Sequence, residues 1–334
     1  MQATNMKSVL IETQQIVNSK NEIKTKYNKE LKSFYIIFIF IFIIFSFVRK
    51  NGYGPTNTVC LCVIAKNENR YIREFVEFYK GIGVDKIFVY DNNDVNGEKF
   101  EEVISDYING GFVEIFNYRG FTTPQLRSYK ECYEKFYKIY DWFIYYDVDE
   151  YIYLKDFNDI KSFLGDSRFN HCQRVQLNWV MYTDNNLLFY DNRTLQERFT
   201  EKEPEARNKK TGGIQEIKSI IRGHNSLTNI HCLHKIDRKL RSCDGFGNRK
   251  KAIGITTPIS DFEYYYIKHF YSKSTEEFIE KIMKTDAFYI INEKVQLNKI
   301  KKYFKYNEIT EEKLDFIEQK TKLNLSEYRK KIKK

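Results

Sequence analysis

Four short apolar segments alternate with segments of helical periodicity in the first half of this 334-residue chain. The intervening segments repeat apolar residues every three or four positions, which is the spacing of one face of an α-helix. Short apolar runs between such helices are typical of strands buried in a parallel sheet. The pattern predicts a β-α-β-α-β-α-β unit with right-handed crossovers, and therefore an α/β fold. The four predicted strands cover residues 59–64, 86–90, 112–116 and 142–146.

The rest of the chain loses this regular alternation. Further strands are predicted at 151–154, 174–179, 217–222, 230–236 and 264–270. The segment 201–213 is charged and contains glycine, which is typical of a loop and fits a mobile lid. Residues 274–277 have the spacing of a capping box, which predicts that a helix begins there.

Polar residues follow three of the four predicted strands. Asp147 and Asp149 come after the run 142–146, Glu68 follows the first strand and Asp91 follows the second. Because the carboxyl ends of parallel strands meet at one edge, these groups are expected to form a ligand site. Alternate residues of an extended segment point the same way, so Asp147 and Asp149 are expected to converge on one Mg²⁺ or Mn²⁺ ion. That ion would hold the phosphates of a nucleotide. A solvated acidic turn is the alternative.

The net charge of +10 is located at the two ends of the chain. Residues 1–50 carry eight Lys or Arg and three Glu, and the last six residues carry five Lys or Arg. The region between them is close to neutral. This distribution gives no support to a basic groove, so no nucleic-acid partner is predicted.

An uncharged apolar run occupies residues 34–48, between Lys32 and Arg49. At about 1.5 Å per residue a helix of this length is roughly 22 Å long, short for a bilayer core of about 30 Å unless flanking residues snorkel. It is predicted to be an uncleaved transmembrane signal anchor, with a buried core helix as the alternative. Lysines are denser before the run than after it. We therefore predict a single-pass type II membrane protein, facing the Golgi or ER lumen in a eukaryotic cell.

The predicted organisation has five parts. They are an N-terminal tail at 1–33, the anchor at 34–48, a linker at 49–57, the α/β domain at 58–298, and C-terminal helices with a basic tail at 299–334.

The six cysteines are scattered along the chain. Cys60 and Cys62 share a strand face and have no partner at zinc-ligand spacing, so buried thiols are predicted. A disulfide between Cys232 and Cys243 is the alternative for a domain in an oxidising lumen.

Several short motifs occur in order within residues 58–285. They are Lys66-Asn67-Glu68, Tyr90-Asp91-Asn92, Gln125 with Tyr129, Asp147-Val148-Asp149-Glu150, Leu177-Asn178-Trp179, Glu197-Arg198-Phe199, His269-Phe270, Ser272-Lys273-Ser274 and Glu277-Phe278. This ordered set resembles glycosyltransferase family 92. The resemblance implies a GT-A fold, a Rossmann-like and mostly parallel sheet flanked by helices. It also implies inverting transfer of a hexose, with galactose favoured, from a nucleotide sugar such as a UDP-hexose to a glycan acceptor, with Mn²⁺ or Mg²⁺ as cofactor.

The resemblance implies a metal site made by three residues. Asp149 would bind the ion directly, Asp147 would bind it through water or contact the ribose, and His269 would complete the coordination shell. A satisfied core histidine is the alternative for His269.

The nucleotide-sugar site implied by the resemblance comprises Lys66, Asn67, Glu68, Asp91, Gln125, Arg127 and Asp147. Asp91 would accept a hydrogen bond from the base, with Glu68 beside it, and an Asx turn is the alternative for Asp91. Gln125 and Arg127 would meet the diphosphate. A solvated helix face is the alternative for Arg127.

An inverting displacement needs a carboxylate that takes the proton of the acceptor hydroxyl. Glu197 and Asp184 are the candidates, and Glu197 is preferred because it lies in one of the motifs. An ion pair with Arg198 or Arg193 is the alternative. Trp179 would stack on an acceptor sugar ring, unless it is a core residue.

The same residues are compatible with other classes of protein. A catalytically silent, membrane-anchored glycan-binding or scaffold protein on the same fold is the alternative function. An aspartyl phosphotransferase is disfavoured, because Glu150-Tyr151 follows the acidic pair.

Overall fold

The computed structural model of the protein describes residues 57–203, 215–224, 240–250, 256–257, 261–283 and 292–332. All of these lie in one compact unit, Asn57–Lys334. The predicted tail, the anchor at 34–48, nearly all of the linker, the strand at 230–236 and most of the lid at 201–213 lie outside the described residues. No helix within the described ranges is long and apolar enough to cross a membrane.

Strands and helices alternate in the first half of this unit, as the sequence predicts. The elements are β1 (Val59–Ala65), α1 (Asn69–Gly81), β2 (Lys86–Asp91), α2 (Glu101–Asn109), β3 (Val113–Asn117), α3 (Gln125–Phe136) and β4 (Trp142–Ile144). β1 pairs in parallel with both β2 and β4, and β2 pairs in parallel with β3. The predicted parallel β-α unit is therefore confirmed.

The second half contains more strands and fewer crossover helices. Its elements are β5 (Glu150–Leu154), α4 (Ile160–Gly165), β6 (Arg174–Met181), α5 (Leu195–Arg198), β7 (Gln215–Arg222), β8 (Ser242–Cys243), β9 (Arg249–Lys250), β10 (Thr256–Thr257), β11 (Tyr265–His269), α6 (Thr275–Met283), α7 (Glu293–Tyr306), α8 (Glu311–Thr321) and α9 (Ser326–Ile332). The strands predicted near 151, 174, 217 and 264 correspond to β5, β6, β7 and β11.

The sheet is mixed, which corrects the expectation of a mostly parallel one. Its main path runs β3-β2-β1-β4-β7-β6-β11-β5. The pairs β4–β7, β7–β6 and β11–β5 are antiparallel. Helical crossovers between successive parallel strands are confined to the first half, and beyond β4 the main path keeps one parallel pair, β6–β11. β7 consequently lies between β4 and β6, joining the two halves of the chain in one sheet.

β4 is shorter than the apolar run that predicts it. The residues at 142–146 are all buried, but the strand ends at Ile144. The chain then turns: the Glu150 N–H donates to the Asp147 carbonyl over 3.0 Å, and the Asp147 N–H donates to Glu150 Oε2 over 3.0 Å. Asp147 and Asp149 therefore lie in a turn, and the extended segment that was expected to carry them ends before they are reached.

Apolar side chains cover both faces of the first-half sheet. α1 and α2 pack on one face, and α3 packs on the other. The buried side of α1 includes Ile72, Phe75, Val76 and Tyr79, the residues whose spacing predicts the helix. After α1 ends, Gly83 has a φ of +90°, a conformation that favours glycine and turns the chain toward β2.

The C-terminal helices share an apolar cluster with α6. Phe278 and Ile282 of α6 pack with Ile300 and Tyr303 of α7 and with Leu314 of α8. The predicted domain boundary between residues 298 and 299 falls inside α7. The C-terminal helices therefore belong to the same packed body as the sheet.

Two disulfides replace most of the predicted buried thiols. Cys62 of β1 is bonded to Cys132 of α3, and Cys172 is bonded to Cys243 of β8. Cys60 is buried and is the free cysteine among the described residues. Because Cys243 is bonded to Cys172, the Cys232–Cys243 alternative is not the pairing that the protein adopts.

Candidate functional site

A cavity of about 330 Å³ opens at the carboxyl ends of β1 and β4. It brings together residues that are far apart in the chain, from the turn after β1, the turn after β4, strands β6 and β11, and helices α6 and α7. Eight residues predicted from the sequence line it: Lys66, Asn67, Glu68, Gln125, Asp147, Asp149, Trp179 and His269. These residues therefore lie together at the edge of the sheet where the sequence predicts a ligand site.

The turn after β1 is held in a conformation that few residues adopt. Asn67 has a φ of 56°, in the left-handed region where asparagine is among the better tolerated side chains. Its N–H donates to Asn93 Oδ1 over 2.7 Å, and Lys66 pairs with Asp94 at 2.8 Å. These bonds anchor the turn to the end of β2. Glu68 follows at the start of α1 and lines the cavity.

Asp149 is buried and has two cationic or basic neighbours. Lys281 Nζ lies 2.8 Å from Asp149 Oδ2, and His269 Nε2 lies 3.5 Å from Asp149 Oδ1. Burial disfavours the charged carboxylate, but the charge of Lys281 and the contact with His269 outweigh burial and hold the pKa of Asp149 well below its usual range. Burial lowers the pKa of His269. Asp149 is therefore an ionised carboxylate beside a predominantly neutral imidazole at neutral pH.

Asp147 faces a different cation. Lys218 Nζ of β7 lies 2.8 Å from Asp147 Oδ2 and 3.1 Å from Glu150 Oε2. Lys218 is buried; burial disfavours its charge, but the two acidic neighbours outweigh burial and raise the pKa of the ammonium well above its usual value. The Tyr129 hydroxyl also lies 3.4 Å from Asp147 Oδ1. The Asp147 carboxylate is thus fixed at the rim of the cavity by β7 and α3.

Two of the three predicted metal ligands are brought together. Asp149 Oδ1 and His269 Nε2 face each other at 3.5 Å, so a carboxylate oxygen and an imidazole nitrogen are available to one divalent cation. Among the described residues, the group of three potential ligand atoms within 4.8 Å is instead His171, Cys172 and Cys243. The disulfide occupies both of those sulfurs. The donor set therefore fits a divalent cation held directly by Asp149 and His269, with Asp147 further away.

Asp91 and Arg127 have other partners. Asp91 is buried; its Oδ2 lies 2.6 Å from Arg119, and its Oδ1 accepts the Asn93 N–H over 2.9 Å. Its carboxylate therefore forms the turn after β2, which is the Asx alternative. Arg127 is exposed, with its guanidinium 5.0 Å from the Phe121 ring centroid. Neither residue lines the cavity that holds Asp149.

The two predicted catalytic bases lie outside this cavity. Asp184 is buried, pairs with Lys313 at 2.7 Å, and lines a separate cavity of about 360 Å³. Glu197 completes a capping box with Thr194 at the start of α5. Its arginine neighbours pair elsewhere, Arg193 with Asp191 and Arg198 with Glu277. Both carboxylates therefore bind partners that stabilise the fold, and neither lies in the cavity with Asp149.

Sequence reasoning predicted a role for Lys66 but for none of the other lysines of the site. Lys273, Lys281 and Lys302 line the cavity, and Lys218 lies behind Asp147. Lys281 lies one helical turn after Glu277, so the two share a face of α6. A signal for Lys218 was available in the sequence, because this lysine follows Ile217 in a predicted strand, and a charge buried there needs a partner. Lys302 has no such local signal because α7 reaches the cavity only through tertiary packing.

The predicted capping box at residue 274 is confirmed and has a second role. The Ser274 N–H donates to Glu277 Oε2 over 3.0 Å, and the Glu277 N–H donates to Ser274 Oγ over 3.3 Å. Glu277 also accepts two bonds from Arg198, at 2.6 and 2.9 Å. Capping alone is therefore an incomplete explanation, because this carboxylate joins α6 to α5 at the wall of the cavity.

The protein is a mixed α/β protein with a cavity at the carboxyl ends of its parallel strands β1 and β4. Two acidic residues of this cavity, Asp147 and Asp149, are paired with lysines. The sequence profile of glycosyltransferase family 92 matches residues 56–325. The chain belongs to this family, which confirms the predicted family.

Individual relatives match shorter segments. A family 92 protein of Ricinus communis is 27% identical over 96 residues, covering 29% of this chain and 17% of the relative. One from Oryza sativa subsp. japonica is 26% identical over 114 residues, covering 31% and 18%. The matched segment thus spans less than a fifth of the length of these relatives. Among solved structures, S. aureus TarS 1-349 in complex with UDP-GlcNAc is 16% identical, with a TM-score of 0.33 and coverage of 74% and 71% of the two chains.

Proposed function

We propose that the protein is a metal-dependent, inverting glycosyltransferase of the GT-A type. It transfers a hexose, with galactose favoured, from a nucleotide sugar such as a UDP-hexose to a glycan acceptor. The observation that carries this proposal is the convergence of Asp147, Asp149 and His269 with four lysines on one cavity, in a chain of glycosyltransferase family 92.

Asp149 and His269 would hold the Mn²⁺ or Mg²⁺ ion, and Asp147 would contact it through water or bind the ribose. Both direct ligands are buried, so they are held in place before any ligand arrives. The bound ion would neutralise the charge that develops on the departing diphosphate.

The lysines of the cavity would bind the diphosphate. Lys273 and Lys302 reach it from the loop before α6 and from α7, and they add positive charge to the cavity wall. Phosphate groups are bound by ammonium groups placed as point charges, with little demand on their orientation. This arrangement would hold the leaving group while the sugar faces the acceptor.

Trp179 would contact the sugar. Its ring centroid lies 4.4 Å from that of His269, and its indole Nε1 is buried without a hydrogen-bond partner in the described part of the chain. A buried N–H donor at a cavity wall is suited to an oxygen of the ligand. The ring would pack against the sugar while the N–H fixes its orientation.

Glu68 is the cavity carboxylate best suited to act as the general base. Burial raises its pKa, and the nearby charge of Lys273 only partly opposes this. A raised carboxylate pKa favours proton acceptance near neutral pH. Glu277 is less suited, because its bonds to Arg198 and Tyr71 hold it as an anion.

A screen of the full chain against a panel of nucleotide sugars, with and without Mn²⁺, tests the proposal. Hexose transfer that depends on Mn²⁺ and is lost in Asp149→Asn is the expected result, whereas Glu68→Gln should lower kcat more than KM. Asp315→Asn, on an exposed face of α8, is the matched control and should retain activity. Absence of turnover with every donor would favour the silent glycan-binding alternative.

We also propose that the domain faces an oxidising compartment, as a type II membrane protein would in the Golgi or ER lumen. The disulfides Cys62–Cys132 and Cys172–Cys243 support this, because such bonds persist mainly outside the reducing cytosol. Thiol alkylation of the denatured protein before and after reduction tests it, because all four bonded cysteines are buried in the fold. Four further reactive cysteines should appear on reduction; cysteines that react equally in both states would contradict the proposal.

A further inference from the structure

Lys281 occupies the position beside Asp149 where a cation is expected. We propose that Lys281 and the divalent cation compete for Asp149, so that the metal binds tightly only when a nucleotide diphosphate takes over Lys281. The inference rests on the proposed function for the metal and for the nucleotide sugar. It adds an order of binding, in which the metal and the donor enter together.

The contact that carries the inference is short and partly buried. Lys281 Nζ lies 2.8 Å from Asp149 Oδ2, and 9% of the Asp149 side chain is exposed, against 35% of the Lys281 side chain. The second carboxylate oxygen, Oδ1, faces His269 Nε2 at 3.5 Å. A cation held between Asp149 and His269 would therefore share one carboxylate with an ammonium group.

Sharing that carboxylate is unfavourable in a low-dielectric site. The ammonium and the metal are both positive, and their repulsion is strengthened by burial. A charge-assisted hydrogen bond to a carboxylate must also be weakened when the metal draws on the same group. The free protein should consequently bind the metal weakly.

A diphosphate removes this conflict by giving Lys281 another anion. The Lys281 side chain lies on the cavity wall and is partly exposed, so it can turn from Asp149 to a phosphate oxygen without leaving the site. Lysine suits this change because its ammonium is a point charge on a flexible stem. The metal then meets Asp149 without a competing ammonium.

Lys218, the other lysine on the acidic turn, is held differently. It is 2% exposed and lies between Asp147 and the fully buried Glu150. Turning away from Asp147 would leave Glu150 without that contact inside the core. The structure therefore separates a fixed lysine at Asp147 from an exchangeable one at Asp149.

Titration of the full chain with Mn²⁺, followed by calorimetry or by the Mn²⁺ EPR signal, tests the inference. In Lys281→Met, Mn²⁺ should bind about tenfold to a hundredfold more tightly than in the unchanged protein when no nucleotide is present, which is the range for one hydrogen bond to a charged group. The matched control is Lys155→Met, because Lys155 pairs with Glu263 at the same 2.8 Å, is 38% exposed and lies outside the cavity. It should change Mn²⁺ affinity by less than about threefold, the size of a screened surface pair.

UDP supplies the second readout. In the unchanged protein, UDP should increase the affinity for Mn²⁺. In Lys281→Met, UDP should increase it by a smaller factor, because the substitution has already raised the Mn²⁺ affinity of the nucleotide-free protein. UDP binding with a thermal unfolding curve confirms that each variant is folded. Equal Mn²⁺ affinities in Lys281→Met and the unchanged protein would overturn the inference, as would an equal gain in Lys155→Met. In both cases nucleotide binding and hexose transfer would remain, so the proposed function would stand.

Discussion

The ion pair between Arg198 and Glu277 gives a stability prediction whose size follows from the structure. Each side chain is 1% exposed, and the two are joined by bonds of 2.6 and 2.9 Å, a bidentate geometry. The Tyr71 hydroxyl and the Ser274 N–H also donate to Glu277. Burial raises the pKa of Glu277, but these donors outweigh it and lower that pKa from 4.5 to about 2.

A carboxylate whose pKa is lower in the folded state stabilises the fold above its unfolded pKa and loses this effect as the pH falls. At 1.36 kcal/mol per pKa unit, the difference between 4.5 and about 2 corresponds to about 3 kcal/mol at pH 7. The same relation leaves about 1.4 kcal/mol at pH 3. Glu277→Gln should therefore lower the free energy of unfolding by about 3 kcal/mol at pH 7, and by less at pH 3.

Urea denaturation of the full chain at pH 7 and pH 3 measures both values. Glu280→Gln is the matched control, because Glu280 lies on the same helix and its pair with Arg70 is 38% and 35% exposed. This variant should cost less than about 1 kcal/mol at either pH. A loss under 1 kcal/mol for Glu277→Gln at pH 7, or one that does not change with pH, would refute the reasoning.

Two further predictions concern the walls of the cavity. Lys218→Met should lower the free energy of unfolding by about 3 kcal/mol, because Asp147 and the buried Glu150 lose the ammonium group between them. Urea denaturation of this variant and of Lys302→Met, compared with the unchanged protein, checks this. An equal loss in both variants would contradict it. The protein has two tryptophans, Trp142 in the core and Trp179 at the cavity, so UDP should change the intrinsic fluorescence through Trp179. Trp179→Phe should abolish this change, and a fluorescence response that survives would place the nucleotide elsewhere.

Local patterns were sufficient to predict the first half of the fold. The apolar spacing of α1 and α3, the glycines after α1, and the apolar runs of β1 to β3 each specify their element through contacts close in sequence. The same argument places Glu68, Asp147 and Asp149 at one edge of the sheet. It failed at residues 145–149, because an apolar run indicates burial but cannot show where hydrogen bonding to the neighbouring strands ends.

The partners of the site residues depend on contacts between distant parts of the chain. Asp184 looked available as a base because its partner Lys313 lies on a helix far along the chain. Asp91 looked available because nothing nearby shows that Arg119 turns back onto it. Lys218 reaches Asp147 only because β7 pairs with β4. Periodicity predicts that an element forms, whereas these pairings follow from the order of strands in the sheet.

That order has a consequence for biosynthesis. On the ribosome, β4 emerges well before β7, its neighbour in the finished sheet, has been translated. Until Gln215–Arg222 arrives, the nascent protein exposes a strand whose backbone groups are open to capture by other chains. The sheet can therefore form completely only after the second half of the chain has been translated. Until then, the exposed strand β4 is a site that a chaperone can bind.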